Sequence, residues 1–200
     1  MIHNTVNSQH LKYGNKNPIQ KFVLCRFFDA IVKEIKEIHP NTVLDFGTGE
    51  GYFLEELEKR ELTFKSLVGI DLRDEALNRA RTIYPSYEFI KVDLFDWNIE
   101  DHSFDLVIAS EVLEHLVNPS RFLNKLTLLS RGYLLLTVPL EPWFRLMNLI
   151  RGRHILSFGN HPEHINQWGY RKFIKFVSTY VNVKKSYIKF PFIIVIAKPL

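Results

Sequence analysis

The stretch Val43-Leu44-Asp45-Phe46-Gly47-Thr48-Gly49-Glu50-Gly51-Tyr52-Phe53 constrains this chain more than any other. A short apolar run ends in an acid, glycines follow at every second position, and a periodic segment opens at Tyr52. That order predicts strand, tight turn and helix. Glycines let a backbone approach a ligand closely and leave the first amides of the following helix free to face it. A dinucleotide fingerprint would read G-x-G-x-x-G, whereas the third glycine here, Gly51, comes one position too early. The competing reading is a strand-to-helix turn whose glycines serve packing alone.

The pattern recurs downstream. Ser66–Asp71 reads as a second strand ending in another acid, at the distance from Gly51 that a strand-helix-strand unit needs to bring a carboxylate beside the ribose hydroxyls of a ligand. Residues 74–82 read as a helix and Tyr87–Val92 as a third strand, followed by Asp93-Leu94-Phe95. Only residues 96–103 separate this from the strand Phe104–Ala109, so the intervening helix is short or absent. Tyr133–Pro139 is a fifth strand, and residues 181–187 and 192–198 are a closing pair. Alternation at this rhythm predicts a parallel sheet with helices on both faces. Right-handed crossovers then place the strand carboxyl ends on one edge, where ligands collect. Asp45, Asp71, Asp93 and Ser110 all stand at such ends.

An acid before G-x-G-x-G resembles motif I of the class I S-adenosylmethionine-dependent methyltransferases, and the strand ending at Asp71 resembles their motif II. The resemblance implies a Rossmann-like, seven-stranded, mostly parallel sheet with an antiparallel last strand and helices on both faces. Its cofactor, S-adenosylmethionine, carries a methionyl ammonium, for which Asp45 is a plausible electrostatic partner. By motif position Asp71 and Leu72 take the ribose, Asp93 the adenine amino group and Leu94 the adenine ring; Gly47, Gly49, Gly51 and Ser110 complete the implied cofactor set. Glu111-Val112-Leu113-Glu114-His115-Leu116 resembles a stretch common in the methyltransferase type 11 group, as does Gly159-Asn160-His161-Pro162-Glu163-His164-Ile165-Asn166-Gln167-Trp168. His115 and His164 are the candidate catalytic bases, since an imidazole accepts a proton near neutral pH; His161 is a further candidate for substrate contact. The resemblance runs from Asn41 nearly to the end.

The chain lacks the N/D-P-P-Y tetrapeptide of base-amino methylating relatives, which favours a small-molecule, sugar, quinone or lipid-linked acceptor over nucleic acid. The leading reading assigns no metal. A rival within enzymes rests on Glu111, Glu114, His115 and His164, which resemble the two-Glu, two-His set that holds a divalent ion in small-RNA 2′-O-methyltransferases. A rival of another class is a cofactor-binding partner protein without turnover.

The expected organisation is an N-terminal segment and helix over residues 1–40, covering the cofactor site, and a methyltransferase domain over 41–200 with a lid insertion at 140–168. Pro18 suits the helix's first turn and Pro40 ends it. Residues 140–153 mix aromatics, aliphatics and arginines and read as an amphipathic helix: a lid, a membrane-surface element or a packed insertion. Cys25 is the only cysteine, which excludes an internal disulfide and fits a reducing compartment. Apolar runs such as 190–197 fall short of the roughly 18–20 residues that span a bilayer, so the expectation is a cytoplasmic protein. The net charge of +4 conceals an asymmetry: from residue 140 onward ten Lys/Arg face only Glu141 and Glu163, while the first 139 residues hold 16 Lys/Arg and 20 acids. The basic part is either a solvated surface or a face for an anionic substrate, lipid headgroup or nucleic acid.

Overall fold

A computed structural model describes residues 17–150 and 164–200, the side chains of 147–150 excepted. Its first helix, α1 (Pro18–Ile38), starts where Asn17 Oδ1 accepts the Ile19 amide at 2.9 Å. It stops at His39, whose left-handed φ of 51° turns the chain and whose N–H bonds to Ile35 O at 3.0 Å before Pro40 forbids continuation. The strands that follow take the sheet order β3-β2-β1-β4-β5-β7-β6, with the last strand antiparallel and the other six parallel to one another. The chain divides into two compact units, Met1–Trp97 and Asn98–Leu200.

In the first unit β1 (Thr42–Phe46) pairs in parallel with β2 (Ser66–Asp71), Asp45 opposite Gly69 and Phe46 opposite Ile70. β3 (Glu88–Lys91) continues the sheet with Asp71 opposite Lys91. Parallel neighbours need crossovers, supplied by α2 (Tyr52–Glu58) and α3 (Asp74–Ile83). Val43, Leu44, Leu67, Ile70, Leu57 and Leu77 are fully or almost fully removed from water and form the core. The apolar stripe of α1 buries Phe28, Ile31 and Ile35. Phe28 meets Phe53 of α2 at a ring-centroid distance of 5.6 Å, and Arg60 Nε reaches Asp29 of α1 at 2.7 Å.

In the second unit β4 (Phe104–Ser110) leads into a 3-10 turn, Leu113–His115, and then α4 (Pro119–Leu129). Asn118 Oδ1 caps α4 by accepting the Arg121 amide at 3.0 Å. β5 (Ser130–Pro139) runs parallel to β4 and opens three residues earlier than the sequence pattern suggests, because Ser130 already pairs with Phe104. Gly132 permits this: a Cβ there would collide with the Asp105 carbonyl oxygen. α5 (Trp143–Ile150), α6 (Tyr170–Val177), β6 (Val181–Lys189) and β7 (Phe192–Pro199) complete the unit. β7 lies between β5 and β6, antiparallel to both, and residues 192–197 are buried. As expected, no helix stands between β3 and β4 among the described residues. Among those residues no helix is long and apolar enough to cross a membrane.

Candidate functional site

In the first unit the glycine turn adopts the backbone its sequence demands. Gly47, Gly49 and Gly51 have φ of 75°, 55° and 79°, where side chains other than hydrogen are strained. The turn is stitched to the next strand: Gly47 N and Thr48 N donate to Ile70 O at 2.8 and 3.2 Å, and Gly49 N donates to Asp71 Oδ2 at 3.1 Å. Asp71 therefore shapes the turn that follows β1. Its Oδ1 accepts the Arg73 amide at 2.9 Å, and the Arg73 guanidinium reaches the two carboxylate oxygens at 3.2 and 3.4 Å. Gly51 faces packing: a Cβ there would lie 3.3 Å from both Ala80 Cβ and Tyr84 Cε2.

Asp45 is only 2 % exposed, and its Oδ2 has no hydrogen-bond partner; neither has the buried Thr48 Oγ1. Burial pushes the Asp45 carboxyl up to about 7. The nearby Thr48 side chain opposes part of the rise without closing a hydrogen bond of ordinary geometry, and the negative charge of Asp71 adds to it. Two acids from successive strand ends thus share one neighbourhood. Asp93 follows the end of β3, is exposed, and uses Oδ1 to accept the Phe95 amide at 2.9 Å in an Asx turn. Leu94 is buried, whereas Leu72 is 52 % exposed. Gly69, which sequence reasoning passed over, is needed here: a Cβ would stand 2.6 Å from Phe89 Cδ1 and 2.9 Å from Thr48 Cγ2.

In the second unit Ser110 Oγ lies 2.9 Å from Thr137 Oγ1, which also bonds Glu111 Oε1 at 3.4 Å. Glu111 sits at φ 60°, a strained conformation for a non-glycine residue, and its amide donates to Thr137 O at 3.1 Å. The 3-10 turn then presents Glu114 and His115. Asn166 holds this turn by donating three times: its backbone N to Glu114 O at 2.9 Å, and Nδ2 to Leu113 O at 3.1 Å and Leu116 O at 2.6 Å. His164 is thereby brought beside His115, with ring centroids 4.9 Å apart, and Phe144 stacks on His164 at 5.3 Å. One ligand atom from each of Glu114, His115 and His164 lies within 4.8 Å of the others, a spacing suited to a metal ion. Glu111 is not in that group. His161 lies outside the described residues.

Sequence reasoning also left aside Glu141, two residues past the end of β5. Burial holds its carboxyl above the ordinary carboxylate range, and its buried Oε1 has no hydrogen-bond partner. The Glu141 amide donates to Trp168 O at 2.9 Å, and the buried Trp168 Nε1 likewise lacks a partner. Its position just beyond a strand end, like that of Asp93, was the signal available.

Residues 19–182 match the sequence profile described as a methyltransferase domain. The chain belongs to the class I S-adenosylmethionine-dependent methyltransferases. Within this methyltransferase family it is 30 % identical over 96 residues to a probable S-adenosylmethionine-dependent methyltransferase of Mycobacterium tuberculosis, a match covering 48 % of this chain and 34 % of that protein. It is 30 % identical over 143 residues to a ubiquinone biosynthesis O-methyltransferase of Neisseria meningitidis, covering 66 % of this chain and 57 % of the relative. These matches therefore span between a third and a little over half of the relatives' own length. The fold is similar to that of the PH0226 protein from Pyrococcus horikoshii OT3, with a TM-score of 0.71 at 17 % identity over 96 % of each chain. It is similar too to the magnesium protoporphyrin IX methyltransferase of Synechocystis PCC 6803, crystallised with bound SAH, with a TM-score of 0.68 at 18 % identity over 97 % of this chain and 96 % of that one.

Proposed function

We propose that this methyltransferase moves a methyl group from S-adenosylmethionine to a small-molecule, sugar, quinone or lipid-linked acceptor. The observation that carries the cofactor half is Asp45: a buried, unpartnered carboxyl oxygen beside an unpartnered threonine hydroxyl is a site that a cation completes. The methionyl ammonium fits it, and Asp45 and Thr48 are the residues assigned to hold that group. Asp71 keeps the glycine turn in shape and offers its carboxylate to the ribose hydroxyls, sharing it with Gly49 and Arg73. Leu94 supplies an apolar wall for the adenine and Asp93 a polar edge. The sulfonium of the cofactor supplies a methyl group already activated for transfer.

What the chain adds is position and proton handling. An acceptor hydroxyl becomes a better nucleophile when an imidazole takes its proton, and His115 and His164 are assigned that work. Their mutual orientation is fixed by the Asn166 bonds to the 3-10 turn and by Phe144. Similarity to a ubiquinone O-methyltransferase supports a phenol-like acceptor oxygen. Calorimetry with S-adenosylmethionine, S-adenosylhomocysteine and NAD tests the cofactor reading: the first two bind, Asp71→Ala abolishes binding, and a preference for NAD would overturn it. Methyl transfer to a quinol or catechol panel tests the acceptor.

A second reading is favoured by the Glu114, His115 and His164 spacing alone: a divalent ion held there and a 2′-hydroxyl of RNA as acceptor. Activity on RNA ends that depends on added Mg²⁺ or Mn²⁺ and disappears in His164→Ala would select it. Tight S-adenosylhomocysteine binding with no transfer to either acceptor class would instead point to a non-catalytic partner role.

A further inference from the structure

We infer that the surface formed by the start of α5 and the β6–β7 turn docks onto an anionic lipid surface. Trp143 and Phe190 come from elements far apart in sequence, yet their rings meet edge to face at 6.3 Å while remaining 50 % and 47 % exposed. A backbone bond from Leu140 N to Pro191 O at 2.8 Å ties the two segments together, so the aromatic pair is built by the fold rather than by adjacency in the chain. Leu146 and Ile188, each 44 % exposed, add two aliphatic side chains from the same two elements. Single exposed apolar residues need no explanation, but four on two elements joined in this way do.

The charge carried by the same elements indicates the occupant. β6 carries Lys184 and Lys185, both exposed, and Lys189 next to Phe190; Arg145 lies between Trp143 and Leu146. From residue 140 to the end of the chain there are ten Lys/Arg and two acids, and one of those acids, Glu141, has its carboxyl pushed towards the neutral form by burial. Tryptophan and phenylalanine favour the headgroup boundary, and basic side chains around them are attracted by anionic lipids. A second copy of the chain would bring the same positive balance against itself. Single-stranded nucleic acid prefers open ring faces for stacking, whereas here the two rings pack edge to face against one another. The inference does not depend on the acceptor, although a lipid-linked acceptor would be delivered at such a surface.

The test uses the full chain and vesicles of phosphatidylcholine alone or with about a third phosphatidylserine. The expected result is at least about tenfold more protein sedimenting with the anionic vesicles, reversed by high salt. Paired substitution Trp143→Ser with Phe190→Ser reduces this about tenfold. A charge reversal at exposed positions, Lys184→Glu with Lys185→Glu, weakens it several-fold while leaving circular dichroism and S-adenosylhomocysteine binding unchanged; it keeps the test decisive if the aromatic pair proves necessary for folding. Equal sedimentation with both vesicle types overturns the proposal. So does a concentration-dependent dimer that the aromatic substitutions dissolve, or binding to single-stranded RNA that anionic vesicles fail to compete away.

Discussion

A carboxyl group buried at the end of β1 with an unpaired oxygen is unfavourable whenever it ionises, and Asp45 is held near 7 for that reason. Its folded value lies above the ordinary 3.8, so between these values the folded protein binds more protons than the unfolded chain. The contribution of Asp45 to stability is therefore greatest at low pH and is lost as pH rises through about 7. Asp45→Asn removes the ionisation: without ligand, its melting temperature relative to the parent rises between pH 5 and pH 8, as thermal scans across that range will show. The cofactor reverses the sign for binding, because an ammonium partner favours the ionised form. Affinity for S-adenosylhomocysteine is accordingly expected to fall about tenfold from pH 8 to pH 6, with proton release at the lower pH. Calorimetry in two buffers of different ionisation heat measures both, and a flat pH profile would refute the role given to Asp45. Gly69 is a steric counterpart. Alanine there must displace the buried Phe89 ring or Thr48, and a loss of about 1–3 kcal/mol in urea unfolding is expected.

At the scale of elements, the turn after β4 draws much of its support from outside its own residues. Leu113–His115 is one 3-10 turn following a strained Glu111, and the carbonyls of Leu113, Glu114 and Leu116 are all satisfied by Asn166 from another segment. Asn166→Ala removes the two side-chain bonds and leaves the backbone one. The expected cost is about 1–2 kcal/mol of stability, with a fall in methyl transfer of about tenfold or more because His115 and His164 lose their mutual position. Binding of S-adenosylhomocysteine should be unchanged, so the comparison of turnover with affinity separates a positioning role from general destabilisation. This staple also shows where the sequence stopped being informative. Helix α4 was legible because Asn118 and Pro119 cap it locally, and the turn at Gly47 because three glycines announce it. Asn166, the Arg73 contact to Asp71 and the early start of β5 depend on partners that folding brings near. No local period reports them.

At the scale of the whole molecule, alternation of strand and helix was enough to give a mostly parallel sheet with its acids at the strand ends, and the antiparallel last strand came with the family resemblance. Within the first unit, that arrangement turns separate motifs into one thermodynamic device: Asp71 shapes the glycine turn through Gly49, and its charge raises the neighbouring Asp45. Ligand that binds only this folded arrangement must stabilise the chain by mass action. At a hundred times the dissociation constant the gain is about 2.7 kcal/mol, which for a chain of this size raises the melting temperature by about 5–10 °C. Asp71→Ala should lose most of that gain even at ligand concentrations that saturate the parent, since it removes both the carboxylate proposed for the ribose and the Gly49 anchor. Asp45→Asn should lose it in a pH-dependent manner, the deficit against the parent being larger at pH 8, where the parent carboxylate is ionised, than at pH 6, where it is largely protonated. Thermal scans of the parent and Asp45→Asn with and without S-adenosylhomocysteine at those two pH values check this, and a deficit that is the same at both would refute it.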